Sequence, residues 1–345
     1  MAHGEFAAQV VRWQQTHGRN SLPWQNTCDP YRVWLSEIML QQTQVITVIA
    51  YFQRFIDRFP DVAALAEGSL DEVLGLWSGL GYYSRARNLH QCARDVMSRH
   101  GGTFPADART LATLPGIGRS TAAAIASLCF GERVAILDAN VKRVVTRALA
   151  FDADLAVAAN ERALWDSATA LLPTGPHAKA WMPRYTQGVM DLGATVCLPR
   201  KPQCGVCPVQ GHCEAKAAGD PLRYPVRTRK LKRSSQVVWL LWVQTAHGAV
   251  WLSQRPTPGV WAGLYCLPLF DTEEALRAAV PAQYVPALQD LPAFTHVLTH
   301  KDLHLHPRRL VLSNVRTQWG EGRWVGPGDW PALGLPAPVR KLLER

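Results

Sequence analysis

Apolar residues recur at helical intervals through the first two thirds of the chain. Phe6, Val10 and Trp13 lie four and three apart. Trp34, Ile38, Val45, Ile49, Phe52 and Ile56 continue as one apolar stripe at spacings of three, four and seven, the repeat of a helix with one buried face. Pro60-Asp61 and Gly68-Ser69 interrupt the pattern and start new helices. Thr121 to Leu128 is small and apolar almost throughout, as a buried helix is. No run of alternating strands occurs before residue 220, so 1–220 reads as an all-α domain.

The pattern then changes. Residues 221–235 carry six cations (Arg223, Arg227, Arg229, Lys230, Lys232, Arg233), no acid and little to bury. This stretch reads as a basic interdomain linker that also suits phosphate contact. Beyond it, VVWLLWV, then Thr245–Gly248, then AVWLSQ reads as a β-hairpin rich in β-branched and aromatic residues. Leu264–Phe270 and Phe294–Leu298 read as further strands, Thr272–Val280 and Ala337–Glu344 as short helices. Residues 236–345 therefore form a second, α+β domain. A length of 345 residues supports two domains.

Composition narrows the class. The longest apolar stretches, such as Val237–Val243, fall far short of a membrane span. Glu5 comes early and no basic segment precedes an apolar run, so no signal peptide is read and a cytosolic protein is expected. The formal net charge of +10 favours a polyanionic partner, nucleic acid before membrane.

Four of the eight cysteines, Cys197, Cys204, Cys207 and Cys213, fall within seventeen residues. The rest are scattered, which fits a reducing compartment with one clustered site. A central C-x-x-C with two flanking cysteines offers four thiolates. Zinc and an iron–sulfur cluster both accept such a set, and spacing alone leans to zinc as the commoner metal.

LPGIGRSTAAAIAS, Leu114 to Ser127, places Gly116 and Gly118 around one apolar residue just before the small-residue helix. Glycine permits the tight turn and lets backbone N–H groups approach an anion, to which the following helix N-terminus adds partial positive charge. Asp138 ends the apolar run Val134–Leu137 and precedes ANVKR. It suits a helix N-cap and a catalytic carboxylate equally, and the two roles are compatible. Glu37 sits in WLSEIMLQQTQV and shares a helical face with Gln41 and Gln44. That face is either a solvated stripe or a partly apolar pocket that raises a carboxyl's pKa until it can donate a proton.

LPWQ, PYRVWLSEIMLQQTQV, GLWSGLGYYSRARNL, LPGIGRSTA, ILDANVKRV and MDLGATVC occur in this order. Together they resemble the MutY-type adenine DNA glycosylases of the endonuclease III, helix-hairpin-helix superfamily, over nearly all of residues 1–225. The later RPTPGVWAGLYCLP resembles that family's C-terminal Nudix-like domain. It lacks the Nudix hydrolase box, so no pyrophosphatase activity is expected. The resemblance implies a multidomain chain. A helical glycosylase domain, with its hairpin at about 110–130 and its cluster loop at 197–213, precedes an α+β Nudix-like domain.

It further implies a [4Fe–4S] cluster on the four cysteines and hydrolytic removal of adenine mispaired with 8-oxoguanine or guanine, after the base is flipped out. Glu37 would be the acid toward an adenine ring nitrogen and the activator of water; Asp138 would face the sugar as anion or transient nucleophile. Arg19, Trp24, Leu40, Asn140 and Gln187 would line the adenine pocket. Gln42, Thr43 and Tyr82 would insert beside or contact the lesion base. Gly116 and Gly118 would hold a nearby phosphate, with an alkali cation, and Lys142 would reach the abasic product. Ser120 stands where bifunctional relatives carry the lysine that cleaves the strand, so little lyase activity is expected.

In the second domain the lesion-sensing Phe-Ser-His is replaced by Leu298-Thr299-His300, which keeps a hydroxyl at Thr299 and loses a phenyl group. His296, His300, His304 and His306 share parity, so one strand face would hold several, as polar surface or as a metal site. The expected partner is duplex DNA and the expected state a monomer at the nucleoid, with no membrane. The rival readings are a bifunctional endonuclease III-like glycosylase and lyase, a thymine-mismatch glycosylase, and a non-catalytic iron–sulfur DNA-binding protein. Ser120, QQTQ with the second domain, and the retained carboxylates disfavour them in turn.

Overall fold

A computed structural model describes residues 3–228, 232–313 and 318–344. Arg229 and Lys230 of the basic stretch lie outside them. The described chain divides into two compact units: residues 3–66 with 91–228, and residues 67–90 with 232–344.

Among the described residues twelve α-helices precede residue 220: α1 (His3–His17), α2 (Pro30–Leu40), α3 (Val45–Arg58), α4 (Val62–Glu67), α5 (Leu70–Leu76), α6 (Ser84–His100), α7 (Ala108–Leu111), α8 (Arg119–Phe130), α9 (Ala139–Ala148), α10 (Ala158–Ala170), α11 (Ala178–Thr195) and α12 (Glu214–Ala217). The stripe from Trp34 to Ile56 belongs to two of them. Gln42 has φ +57°, which no helix tolerates, so α2 stops at Leu40 and Gln44 caps α3. Glu37, Gln41 and Gln44 therefore do not share one helical face, because Gln41 and Gln44 stand in the turn.

In the first unit α2 packs on α3 and α8, and α11 on α1, α8 and α9. Phe6, Val10, Val141, Leu164 and Leu192 form one continuous core. Two glycines of α11 permit close approach. A Cβ on Gly188 would stand 2.7 Å from Val10, and one on Gly193 2.6 Å from the Cβ of Asn140.

The second unit contains β1 (Ser234–Thr245), β2 (Val250–Gln254), β3 (Tyr265–Cys266), β4 (Leu269–Phe270), α13 (Glu273–Ala278), β5 (Gln289–Asp290), β6 (Phe294–Val297), β7 (Lys301–Leu312), β8 (Arg323–Val325) and α14 (Ala337–Leu343). The expected hairpin pairs Gln244 with Val250, but the main partner of β1 is β7. These two run parallel over twelve residues, from Ser234 opposite Lys301 to Thr245 opposite Leu312. Apolar clusters cover both faces, Leu240, Leu252 and Leu305 on one, Leu241, Val243 and Leu310 on the other. That is why VVWLLWV is a continuous apolar run and not an alternating one.

Within the stretch read as one helical domain, Glu67–His90 groups by contact with the second unit. Tyr83 Oη and Ser78 Oγ donate to the Leu335 carbonyl at 3.0 and 3.3 Å, and Tyr265 Oη to Asp71 at 3.2 Å. Arg87 donates to the Ala262 carbonyl at 2.5 Å. The ties are polar and long-range, which helical periodicity does not report.

The histidine face is corrected as well. β6 and β7 are antiparallel, with Thr295 opposite His304 and His296 opposite Leu303. Every such pair joins an odd to an even number, so shared parity across the turn means opposite faces. His296 tilts against Trp261, His304 bonds Ser235 and Thr295, and His306 stacks on Trp239. Among the described residues no three His, Cys, Asp or Glu side chains form a single-ion site.

Candidate active site

Asp29 caps α2 by accepting from the Tyr31 N–H at 2.9 Å, and Pro30 begins the helix without needing a donor. Trp34, Leu35 and Ile38 bury one side of α2, and Glu37 stands half-buried between them. Burial, then the charge of Asp138, pushes its carboxyl up to about 7. At neutral pH it is poised as an acid.

Asp138 is indeed the N-cap of α9, accepting from the Val141 N–H at 2.7 Å. Burial raises its pKa too, but the hydrogen bonds from Val141 and Asn140 and the Arg143 charge act in the opposite sense. Asp138 therefore holds the negative charge more readily than Glu37 and keeps the proton on its neighbour. The cap and the buried carboxyl beside Glu37 are one residue.

The hairpin runs from α7 to α8. Gly116 takes φ +75°, and Gly118 is the N-cap of α8 with open space where a Cβ would point. Ser120 Oγ accepts from the Leu137 N–H at 3.1 Å and so ties the hairpin to the residue before Asp138.

Arg19 and Gln187 meet at a residue the motifs did not single out. Asp191 is buried and accepts from Arg19 Nε at 2.7 Å, the Arg19 N–H at 3.0 Å and Gln187 Nε2 at 3.0 Å. Its position within MDLGATVC was the available signal. Asn140 accepts from Arg143 Nη2 at 2.9 Å. Trp24 is buried edge-on against Phe52, a core contact, while Leu40 closes α2 half-exposed. Gln42 and Thr43 occupy the turn after it. The Lys142 ammonium pairs with Glu161 of α10.

Arg143 and Arg147, also overlooked, are buried on α9 at helical spacing. Arg143 spans Asn140, the Gly193 carbonyl at 2.6 Å and the Cys197 carbonyl at 2.7 Å. Arg147 donates to the Leu198 and Pro199 carbonyls and to the Cys197 sulfur at 3.4 Å. Helix α9 thus carries Asp138 at its start and holds the cysteine loop along its side.

Cys197, Cys204, Cys207 and Cys213 line one small cavity of about 20 Å³. Burial, and then the mutual charges of the other three, push the Cys207 thiol up to about 11. Burial raises the Cys213 thiol as well, and four thiols converging on one cavity suit a bound cationic centre. Four thiols around one cavity are a donor set that zinc and an iron–sulfur cluster both accept.

In the second unit Tyr82 adopts φ +48° and is exposed; its hydroxyl hydrogen-bonds that of Thr299. Thr299 and His300 form the tip of the β6–β7 turn, beside a cavity of about 660 Å³ lined also by Trp261 and His296.

Three family models match the chain: the HhH-GPD superfamily base excision DNA repair protein at residues 35–168, the iron-sulfur binding domain of endonuclease III at 197–213, and a NUDIX domain at 238–345. An adenine DNA glycosylase of Buchnera aphidicola (subsp. Acyrthosiphon pisum) is 35% identical over 98% of this chain and 97% of its own. One of Mus musculus is 44% identical over 61% of this chain and 41% of its own. The structure of a thermostable thymine-DNA glycosylase aligns with TM-score 0.54 and 28% identity, covering 63% of this chain and 97% of that one. An endonuclease III–DNA complex, at 20% identity and TM-score 0.50, shares the fold over 62% of this chain and 94% of its own.

Proposed function

The chain belongs to the adenine DNA glycosylases, and on that premise we propose that it excises adenine mispaired with 8-oxoguanine or guanine by hydrolysing the N-glycosidic bond. The observation that carries the reading is the coupled pair, Glu37 raised to about 7 by burial and by the charge of Asp138. Breaking this bond requires a proton on the leaving base and a negative partner for the sugar, and two carboxyls with separated pKa values divide that work.

Glu37 donates its proton to a ring nitrogen of adenine that has been flipped from the stack. The bond from sugar C1′ to the base breaks, and its electron pair leaves with the base. The Asp138 carboxylate stabilises the oxocarbenium-like sugar or bonds to it transiently. Glu37, now ionised, takes a proton from water, whose oxygen bonds to C1′. Arg19, Gln187 and Asn140, held by Asp191 and Arg143, line the adenine pocket with Trp24 and Leu40.

Gly116, Gly118 and the first turn of α8 receive a phosphate, with an alkali cation at the hairpin. Ser120 offers no amine for an imine with the sugar, so strand cleavage is weak or absent. Gln42 and Thr43 enter beside the lesion, Tyr82, Thr299 and His300 contact the opposite base, and Lys142 reaches the abasic product. The four cysteines hold a [4Fe–4S] cluster, which cross-links residues 197 to 213 and presents the Arg200-Lys201 segment to DNA. The protein acts as a monomer on duplex DNA in the cytoplasm, at the nucleoid. No helix among the described residues is long and apolar enough to cross a membrane.

The test is incubation with duplexes carrying adenine opposite 8-oxoguanine, guanine or thymine, followed by alkali. Alkali-labile sites in the first two, fastest opposite 8-oxoguanine, are expected. Their absence, or equal cutting of the thymine pair, refutes the reading.

A further inference from the structure

The turn that carries Thr299 and His300 is held from two sides. Strands β6 and β7 are antiparallel, and the Leu298 N–H donates to the Lys301 carbonyl at 2.8 Å, leaving Thr299 and His300 alone at the tip. On one side the Tyr82 and Thr299 hydroxyls share a hydrogen bond. On the other stands Arg233. Its Nη1 donates to the Thr299 carbonyl at 3.1 Å, and its Nη2 pairs with the Asp302 carboxylate. The next residue, Ser234, donates its N–H to the His300 carbonyl at 3.1 Å. Arg233, counted in the sequence with the cations of a phosphate-binding linker, is thus committed to the turn.

We propose that Arg233 is a positioning residue that sets specificity for the base opposite adenine, by fixing the tip on which Thr299 and His300 stand. The inference rests on the reading that this tip contacts that base. The tip carbonyls have no partner in the β6–β7 ladder, so its motion is limited by what else grips it, β1 through Ser234 at His300 and Arg233 at Thr299. A guanidinium presents several N–H donors in a rigid plane. One arm is anchored on Asp302 at the base of β7 and the other takes the Thr299 carbonyl, which fixes the tip against the sheet. Tyr82 then fixes the hydroxyl. A contact whose donor is held in place before binding loses less entropy when the lesion base arrives.

A merely structural role is disfavoured by exposure. The Arg233 and Asp302 side chains are 42% and 34% exposed, so the pair adds little to folding and its variants should fold. A phosphate role makes the opposite prediction for Asp302, since removing that acid would free Arg233 for DNA.

The experiment uses the full-length, cluster-loaded protein. Single-turnover adenine excision is measured opposite 8-oxoguanine and opposite guanine for wild type, Arg233→Gln, Arg233→Lys, Asp302→Ala and Thr299→Ala. For Arg233→Gln the ratio of the two rates should fall roughly three- to tenfold, the scale of one charge-assisted hydrogen bond on a half-exposed turn, while the rate opposite guanine stays at wild type. Asp302→Ala should lower the ratio in the same direction, and Arg233→Lys should recover part of it. An unchanged ratio in Arg233→Gln, with Thr299→Ala lowering it, overturns the proposal and leaves the lesion-reading turn intact. Equal weakening of binding to both duplexes, with a salt dependence reduced by about one phosphate contact and tighter binding by Asp302→Ala, overturns it in favour of a backbone contact. A wild-type ratio in Thr299→Ala removes the lesion-reading turn, and the proposal with it.

Discussion

Replacing Glu37 by glutamine should stop the chemistry and stabilise the fold, and the stabilisation should depend on pH. The carboxyl rises from an ordinary value of 4.5 to about 7 through burial and the nearby Asp138 charge. Each pKa unit corresponds to about 1.4 kcal/mol, so the ionised form is penalised by about 3 kcal/mol in the folded protein. Between those two values the folded protein keeps a proton that the unfolded chain has released. Stability therefore falls as pH rises from about 4.5 to about 7 and stays low above that window. Glutamine is neutral throughout and escapes the penalty. Glu37→Gln should gain roughly 1–3 kcal/mol, or about 2–6 °C in midpoint, at about pH 8, and about a quarter of that at about pH 5. The assay is thermal unfolding of both proteins, cluster intact, at the two pH values, beside single-turnover adenine excision. Excision should drop at least ~100-fold, the usual worth of a positioned proton donor. A midpoint difference that is the same at both pH values would refute the raised pKa. A near-normal rate would refute the acid role.

Other expectations follow from the same geometry. Cys204→Ser should lose about four irons and the brown colour, together with DNA binding; stoichiometric zinc in fresh wild-type protein would overturn the cluster. Ser120→Lys should add strand cleavage and borohydride trapping, because it brings an amine to the hairpin beside Asp138; trapping no greater than wild type would show that geometry blocks the imine. Asp191→Asn should slow excision roughly ten- to a hundredfold by loosening Arg19 and Gln187 while leaving the helical signal in circular dichroism unchanged; a normal rate would remove Asp191 from the site.

The parts of the site written as local patterns were legible in the sequence. The N-cap at Asp138, the Gly116–Gly118 turn and the buried helix after it are set by neighbours a few residues away. The four cysteines were legible as a cluster because they lie within seventeen residues. What escaped was long-range and polar. Asp191 binds Arg19 from across the fold, and Arg143 bridges three segments; neither leaves a periodic trace. The run from Trp34 to Ile56 kept helical spacing across a break at Gln42, so periodicity joined two helices into one. The grouping of Glu67–His90 with the second unit depends on side-chain bonds to the carbonyls of Leu335 and Ala262. It also shows why removal of residues 230–345 is a poor test of lesion reading: Leu74 would lose its contact with Gly334, and Tyr83 its carbonyl partner. Point changes at Thr299 ask the question without that damage.

The most direct measurement of the central claim compares wild type with Asp138→Asn on a duplex holding adenine opposite 8-oxoguanine. The asparagine keeps the shape and an acceptor for the Val141 amide but removes the charge proposed to face the sugar. Binding should remain within a few-fold of wild type, while single-turnover adenine release falls by several kcal/mol in barrier, at least ~100-fold. A variant that binds the duplex and releases adenine at near the wild-type rate would contradict the account.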